Sequence, residues 1–355
     1  MSKKLSKQKL NDIITYGIVI AAFVIMQILI NAGEISSLFQ GLMVPLCTYI
    51  ILAISLNLVV GILGELSLGH AGFMCVGAFT SSFFSKAMQD TITNSTVRFL
   101  LALLIGIITA AIFGIIIGIP VLRLNGDYLA IVTLAFGEII KNLVNVLFIG
   151  KDSKGFHFST KDAVSLNMEP DGKIILNGPQ GITGTPNDST FFIGFILILV
   201  TLFIVLNLIH SRDGRAIMAI RDNRIAAESI GINITKYKLM AFAISAALAG
   251  VAGVLYAHNL SNLTANTNNF GYNMSINILV FVVLGGIGNI RGSIIAAVVL
   301  TLLPELLRGM SDYRMLIYAI VLIVMMLFNW APAARNWRAR VMEKIKGTKN
   351  KKEAA

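Results

Sequence analysis

Charged side chains are scarce in this chain. They make up 13% of its 355 residues, whereas about 25% is typical of soluble domains. Hydrophobic residues reach 56% and lie in long uncharged runs, which indicates a bilayer rather than one large core. The two cysteines, Cys47 and Cys75, lie inside apolar runs, where they are expected to be small buried hydrophobic residues. A disordered chain, a disulfide scaffold and a soluble enzyme are therefore excluded.

The usual signatures of catalysis and of metal or nucleotide binding are also missing. The sequence contains no G-x-x-x-x-G-K-[ST] motif, no G-x-S-x-G motif and no His/Cys/Asp cluster at metal-ligand spacing. Its four histidines, at positions 70, 157, 210 and 258, are widely scattered. We therefore expect no catalytic residue, no metal site and no cofactor bound by this chain itself.

Ten apolar runs are candidates for transmembrane or partial helices, a full span needing about 20 residues. They cover residues 13–32, 42–63, 67–84, 99–122, 128–148, 191–209, 239–257, 275–288, 293–307 and 315–330. The eighth run is short for a full crossing. The sequence therefore predicts an all-α polytopic membrane protein, with residues 1–355 forming a single transmembrane domain of about ten transmembrane or partial helices.

The positive charge predicts the orientation of these helices. The net charge of +11 comes mainly from the N-terminus, the loop 210–238 and the tail 331–355. With ten spans all three segments, including both termini, lie on one side, which the positive-inside rule makes cytoplasmic. The polar segment 150–190 then forms an extracytoplasmic loop. Eight spans would also place both termini on one side. Nucleic-acid binding is disfavoured, because the basic residues flank apolar runs.

A glycine-rich segment enters the third run, with Gly64, Gly69, Gly72 and Gly77 within fourteen residues. Two interpretations stay open. The glycines permit a break in the helix that lines a substrate path, or they permit close helix packing around a hydrogen-bonded interior histidine. On the first interpretation the candidate path residues are Gly64, Glu65, Ser67, Gly69, His70 and Gly72.

The fifth run carries an acidic residue near its middle. If Asp127 marks the cytoplasmic border, Glu138 lies roughly 16 Å further along the helix, where an acid is costly and usually functional. Lys141 lies three residues later and is a candidate partner in a structural ion pair. The alternative is that Glu138 faces the translocation path or a partner subunit, and Thr133 is a further path candidate on this run.

Residues 213–231 are interpreted as one cytoplasmic helix. Arg221, Arg224 and Glu228 then share a charged stripe, and Gly231 stops the helix. Ala219, Ala226 and Ile230 form a small apolar edge on the opposite side. Such a helix suits docking into a groove on another protein, although a solvated, topology-setting loop is the simpler alternative.

Four glycines between the eighth and ninth runs predict a tight turn between closely packed helices. They are Gly285, Gly286, Gly288 and Gly292. A dinucleotide-binding motif is rejected, because the strand context and the third-glycine spacing are missing.

In this order, the four segments resemble the permease subunits of branched-chain amino-acid ABC importers, most closely the M-type subunit of the leucine/isoleucine/valine system. The stretches that carry the resemblance are 56–72, 126–138, 214–238 and 283–292. Ala226 and Ala227, followed by Gly231, are similar to the coupling segment of these permeases, although Ile225 stands where that segment has an acid. The candidate ATPase-coupling residues are Gly214, Arg215, Arg221, Arg224, Ala226, Ala227, Glu228 and Gly231.

The resemblance implies the ABC importer permease fold and a multi-pass subunit in the plasma or inner membrane that forms half of a path for branched-chain amino acids. It further implies a heterodimer with a sister permease, two ATPase subunits that bind ATP and Mg, and an extracytoplasmic amino-acid-binding protein. Permeases for urea or short amides have much the same motifs and remain an alternative. A secondary transporter driven by an ion gradient is a more distant one.

Overall fold

The computed structural model describes residues 7–33, 36–124, 126–170, 172–307 and 313–330, and these residues are mainly helical. The helices are α1 (Lys7–Asn31), α2 (Ser37–Asn57), α3 (His70–Ala87), α4 (Ser95–Val121), α5 (Asp127–Val146), α6 (Phe191–His210), α7 (Arg212–Asp222), α8 (Arg224–Ser229), α9 (Ile234–Ala257), α10 (Thr267–Phe270), α11 (Tyr272–Gly285), α12 (Ile290–Leu306) and α13 (Arg314–Trp330). Helices dominate because a backbone in lipid must satisfy its own hydrogen bonds. The basic tail 331–355 lies outside the described residues.

Each of the ten predicted runs coincides with a helix whose ends are shifted by a few residues. Within the described part of the chain, six helical segments are long and apolar enough to cross a membrane: α1, α2 with the turn that follows it, α4, α5, α6 and α9. The other four are shorter or less apolar; α11, with 14 residues, extends only about 21 Å at about 1.5 Å per residue. The chain is therefore a polytopic helical membrane protein.

The centre of the bundle is formed by α2, α3 and α9. Glycines let these helices approach closely: a Cβ added to Gly77 in α3 would lie 2.6 Å from the Cα atom of Gly250 in α9. Small residues of this kind are typical of membrane helix interfaces, where lipid gives no hydrophobic drive for helices to associate. α2 is almost wholly buried, whereas α1 and α4 direct most of their apolar side chains outwards.

The polar segment 150–190 contains short strands, so the prediction of an all-α chain needs correction here. These strands are β1 (Phe148–Asp152), β2 (Gly155–Ser159), β3 (Lys173–Asn177) and β4 (Ile182–Thr183), and a fifth, β5 (Asn262–Leu263), lies between α9 and α10. β1 pairs antiparallel with both β2 and β3, and β4 pairs with β5. With two to five residues each, these strands are too short to give a clear alternation of apolar residues in the sequence.

The turn between β1 and β2 is held by Asp152. Its Oδ1 atom accepts the backbone N–H groups of Lys154 and Gly155, and its Oδ2 atom accepts that of Glu169. Burial raises the pKa of the Asp152 carboxyl, but these backbone donors and His157 together hold it below its ordinary value. The carboxylate therefore remains charged and fixes this end of the sheet.

Two helices begin inside the bundle rather than at its edge. After α2 the chain forms a π-helical turn, Leu58–Leu63, and leaves the helix at Gly64, which has a left-handed φ of +81°. The helix predicted at 67–84 therefore begins only at His70, because the glycine and the polar residues after it form a break. α11 begins beside the middle of α5, where the Tyr272 N–H donates to Glu138 Oε1 at 2.8 Å. The Ala71 N–H donates to Ser275 Oγ at 3.2 Å, so the starts of α3 and α11 are adjacent.

Candidate functional site

The π-helical turn is bonded directly to the loop between α6 and α9. In α7, Arg221 donates from Nη1 to the carbonyl oxygen of Gly61 at 2.9 Å. A Cβ added to Gly64 would lie 2.5 Å from the Cγ atom of Arg221. The sequence interpretation places Arg221 on a charged stripe with Arg224 and Glu228; the structure adds a contact between its guanidinium and its own chain. A hydrogen bond from a charged donor therefore connects α7 to the π-helical turn that follows α2.

On another side, the same π-helical turn packs against the turn between α11 and α12. A Cβ on Gly61 would overlap both Asn57 Oδ1 and the Gly288 nitrogen. The fully buried Asn57 accepts the Gly288 N–H at 2.9 Å and donates to Ser293 Oγ at 2.8 Å. Its side chain therefore joins the end of α2 to the start of α12.

The turn between α11 and α12 is built from backbone contacts. Gly286 and Gly288 have positive φ values of +95° and +80°, a conformation that costs glycine little. A Cβ on Gly285 or Gly292 would overlap the main chain of the other residue. The two helices therefore meet at a distance that only glycine allows.

A buried ion pair links the break to α9. The Nζ atom of Lys238 contacts Glu65 Oε1, and the two side chains are only 5% and 14% exposed. A charge buried to this extent needs its partner, because an uncompensated ion is costly in a low-dielectric interior. Glu65, a candidate path residue, is thus already paired within the chain.

His70 is hydrogen-bonded within the bundle. Its Nε2 atom lies 2.7 Å from Ser55 Oγ, and its side chain is buried. This contact fits the interpretation of a hydrogen-bonded interior histidine. Ser67 is also buried, but its hydroxyl has no hydrogen-bond partner among the described residues. The break therefore contains an unpaired polar group.

Gly69 and Gly72 pack closely against α5. A Cβ on Gly72 would lie 2.7 Å from the Gly137 Cα atom, and one on Gly69 would overlap the carbonyl oxygen of Thr133. Thr133 Oγ1 also accepts the Leu68 N–H at 3.0 Å. These contacts favour close packing for the two glycines and place Thr133 against the break.

Glu138 is held in a cluster at the start of α11. Lys141 Nζ donates to Glu138 Oε2 at 2.5 Å and to Thr267 Oγ1 at 3.2 Å. The other carboxylate oxygen of Glu138 accepts the Tyr272 N–H. Both oxygens of the acid are therefore engaged, as the structural ion-pair interpretation expects.

The segment 213–231, predicted as one helix, is two helices, α7 and α8, and the prediction is wrong on this point. Asn223 separates them with an extended backbone, and its Oδ1 atom accepts the Ala226 N–H at 3.0 Å as an N-cap. The interruption at Asn223 lets Ala227 bury against Ile220 and Ile234. Because of the interruption at Asn223, Ala219 in α7 does not share one continuous helix face with Ala226 and Ile230, which are both exposed. Gly231 ends α8 with a φ of +85°.

Several of the remaining coupling candidates lie apart from the break. Gly214 is buried, and a Cβ there would overlap the Leu208 carbonyl at the end of α6. Arg215 donates to the His210 carbonyl at 3.1 Å. The side chains of Arg224 and Glu228 are exposed. The loop thus has an inward contact through Arg221 and an exposed outer surface.

Sequence reasoning missed Asn57 and treated Lys238 only as a topology signal. An amide inside an apolar run is expensive in a membrane, and this cost was the available signal for Asn57. Its partners, Gly288 and Ser293, are more than 200 residues away in the sequence, so the sequence alone does not reveal them.

Comparisons with known proteins agree with the motifs. A family model described as a branched-chain amino acid transport system permease component matches residues 37–328. The chain is 35% identical over 316 residues to the high-affinity branched-chain amino acid transport system permease proteins LivM of Salmonella typhimurium and Escherichia coli, covering 86% of this chain and 72% of each relative. It is 26% identical over 313 residues to the fructose import permease protein FruG of Bifidobacterium longum, covering 86% and 85%. No solved structure matches.

Proposed function

The chain belongs to the family of branched-chain amino-acid transport permeases, and we propose on that premise that it is the membrane-spanning subunit of an ATP-driven importer for these amino acids. It forms half of the translocation path beside a sister permease in the plasma or inner membrane. Two ATPase subunits bind ATP and Mg on the cytoplasmic side, and an extracytoplasmic binding protein delivers the amino acid. The chain itself supplies the path and the coupling rather than a chemical step.

The proposed orientation has ten crossings with both termini in the cytoplasm. The loop 210–238 and the basic tail 331–355 then face the ATPases, in agreement with the positive-inside rule. The segment 150–190, with its three-stranded sheet, faces the binding protein. The bond between Arg221 and Gly61 fits this orientation, because it joins the proposed cytoplasmic loop to the end of α2 that faces it.

That bond is the observation that carries the proposed mechanism. Closure of the ATPase dimer displaces α7 and α8, and Arg221 passes the displacement to the π-helical turn. A π-turn departs from regular helical hydrogen bonding and is common at functional sites. The break and the attached helices then change the side on which the path opens. The proposed coupling residues are Gly214, Arg215, Arg221, Arg224, Ala226, Ala227, Glu228 and Gly231.

The chemistry of the cargo fits a broken helix in an apolar bundle. A branched-chain amino acid is a zwitterion with an apolar side chain, so its path needs apolar walls and a few polar groups or backbone dipoles. The buried Ser67 hydroxyl, which has no hydrogen-bond partner among the described residues, is the path candidate best suited to bind cargo. The remaining proposed path residues are Gly64, Glu65, Gly69, His70, Gly72, Thr133 and Glu138.

Reconstitution of the complete transporter tests the proposal. The permease pair, the ATPases and the cognate binding protein are placed in vesicles, and uptake of radiolabelled leucine, isoleucine, valine, urea and fructose is compared with and without ATP. We expect ATP-dependent uptake of the three amino acids only. Uptake of urea or fructose instead would reassign the cargo, and uptake driven by an ion gradient without ATPase subunits would contradict the proposal as a whole.

A further inference from the structure

The π-helical turn after α2 and the glycine turn Gly285–Gly288 are in direct backbone contact. Gly61 has no space for a Cβ, because Asn57 Oδ1 and the Gly288 nitrogen occupy that position. On another side, the carbonyl of Gly61 accepts a hydrogen bond from the Arg221 guanidinium. A single residue of the π-helical turn therefore contacts both α7 and the turn that leads into α12.

The Asn57 side chain holds this contact together. It is fully buried, and its two polar atoms have separate partners in two elements: Oδ1 accepts the Gly288 N–H and Nδ2 donates to Ser293 Oγ. An amide supplies an acceptor and two donors in fixed geometry. An apolar residue makes neither bond, and a hydroxyl has one oxygen where Asn57 uses two separate polar atoms, so the amide has a positioning role.

The turn held by Asn57 is attached to the second helix that begins inside the bundle. α11 begins beside Glu138, near the middle of α5, and ends at Gly285. Near its start, Ser275 accepts the Ala71 N–H of α3. The starts of α3 and α11 are therefore bonded to each other, and Asn57 joins the chain segments at the other end of α11.

We propose that Asn57 is a positioning residue that makes α7, the π-helical turn and the turn between α11 and α12 move as one unit. Displacement of α7 then moves α3 and α11, the two helices that begin inside the bundle, together. This inference rests on the proposed coupling role of α7 but goes beyond it, because it states which other part of the chain α7 carries with it.

Distances between spin labels test the proposal in the assembled transporter. Cysteines are introduced at Asp213, Ile287 and Ser153, which are exposed in α7, in the glycine turn and in the outer β1–β2 connection, while the buried Cys47 and Cys75 are replaced by alanine. Pulsed electron resonance then measures the pairs 213–287 and 213–153, in nucleotide-free transporter and in transporter trapped with a non-hydrolysable ATP analogue.

In the parent transporter we expect the 213–287 distance to be narrow and equal in both states, while the 213–153 distance changes. In Asn57→Leu we expect the 213–287 distribution to broaden and its mean to change with nucleotide. The matched control is Ser245→Ala, which removes another buried hydrogen bond between α9 and α2, from Ser245 Oγ to the Ser55 carbonyl, and should leave the 213–287 distribution narrow.

Two results would overturn the inference: a 213–287 distance that changes with nucleotide in the parent, or an Asn57→Leu distribution identical to that of Ser245→Ala. If Asn57→Leu does not assemble, Ser293→Ala, which removes one of the two bonds, is used and should broaden the distribution less; an unchanged distribution would then count against the inference. A 213–153 distance that never responds to nucleotide would contradict the proposed coupling instead, so the two failures are distinguishable.

Discussion

At the scale of single residues, Arg221 gives the sharpest test of coupling. Its bond to the Gly61 carbonyl involves a charged donor, and such bonds contribute about 1.5–3 kcal/mol. We expect Arg221→Met to lower uptake per ATP hydrolysed by a factor on the order of ten, with the assembled complex retained. The measurement is parallel uptake and ATPase assays on reconstituted transporter.

The matched control for that variant is Arg123→Met, an exposed arginine after α4 that loses the same charge. It should leave the coupling ratio unchanged. Equal ratios for Arg221→Met and the parent would contradict the proposed role of Arg221 in coupling.

A second residue-scale prediction concerns the ion pair between Lys141 and Glu138, whose side chains are 10% and 25% exposed. Breaking a buried pair by removing one partner costs about 3–5 kcal/mol, because the other charge stays buried. We expect Lys141→Met to lower the thermal unfolding midpoint of the solubilised complex. The double variant Glu138→Gln/Lys141→Met should recover part of the loss, since no charge is then left unpaired.

The control for the ion pair is Lys173→Met. Its pair with Asp90 is exposed, at 73% and 77%, and exposed pairs are worth only about 0–1 kcal/mol. A midpoint as low as that of Lys141→Met would show that the position of Lys141 in the bundle has no special role.

At the scale of elements, the contact between α3 and α5 predicts different effects of alanine at its two facing glycines. A Cβ on Gly72 would lie 2.7 Å from Gly137 Cα, whereas a Cβ on Gly137 has no neighbour closer than 3.7 Å. We expect Gly72→Ala to push the two helices apart and to lower the yield of folded protein. Gly137→Ala should be tolerated, although the two glycines face each other. Expression and size-exclusion profiles of the two variants measure the yield of folded protein. Equal yields would contradict this packing of α3 against α5.

The same elements show how far the sequence predicts the fold. Apolar runs predict the main helices, because a membrane helix needs a continuous apolar length, and close glycines predict the tight contacts of α3 and α12. The interruption at Asn223 was not predicted, since a helical pattern continues through it. It forms because Ala227 buries against Ile220 and Ile234, a tertiary contact that the local pattern does not contain.

The candidate site was predicted only in part, for a similar reason. Glu65, Arg221 and Gly288 lie in three separate segments that the sequence singled out, but their meeting around one π-helical turn follows from packing. Asn57 and Lys238 complete that cluster through partners more than 170 residues away. Sequence patterns identify residue types and local periodicity, and they do not give such distant pairs.

At the scale of the whole molecule, the proposed orientation predicts which surfaces a reagent reaches. Single cysteines at Ser153 and Ile225, both exposed, lie at the two proposed sides of the membrane. In intact cells a membrane-impermeant maleimide should label Ser153→Cys and not Ile225→Cys, whereas inverted vesicles should give the opposite result. Labelling of both positions from the outside would contradict a cytoplasmic coupling loop and the crossing of α6 that separates the two positions.

The joint between the π-helical turn and the turn from α11 to α12 includes close main-chain contacts at Gly61, Gly285, Gly288 and Gly292. Glycine has no side-chain rotamers to restrict, so tightening or loosening this joint carries almost no side-chain entropy. The main chains at Gly61 and Gly288, and those at Gly285 and Gly292, touch directly, with no flexible side chain between them to absorb a small displacement. We therefore expect a small displacement of one of these turns to move the other directly.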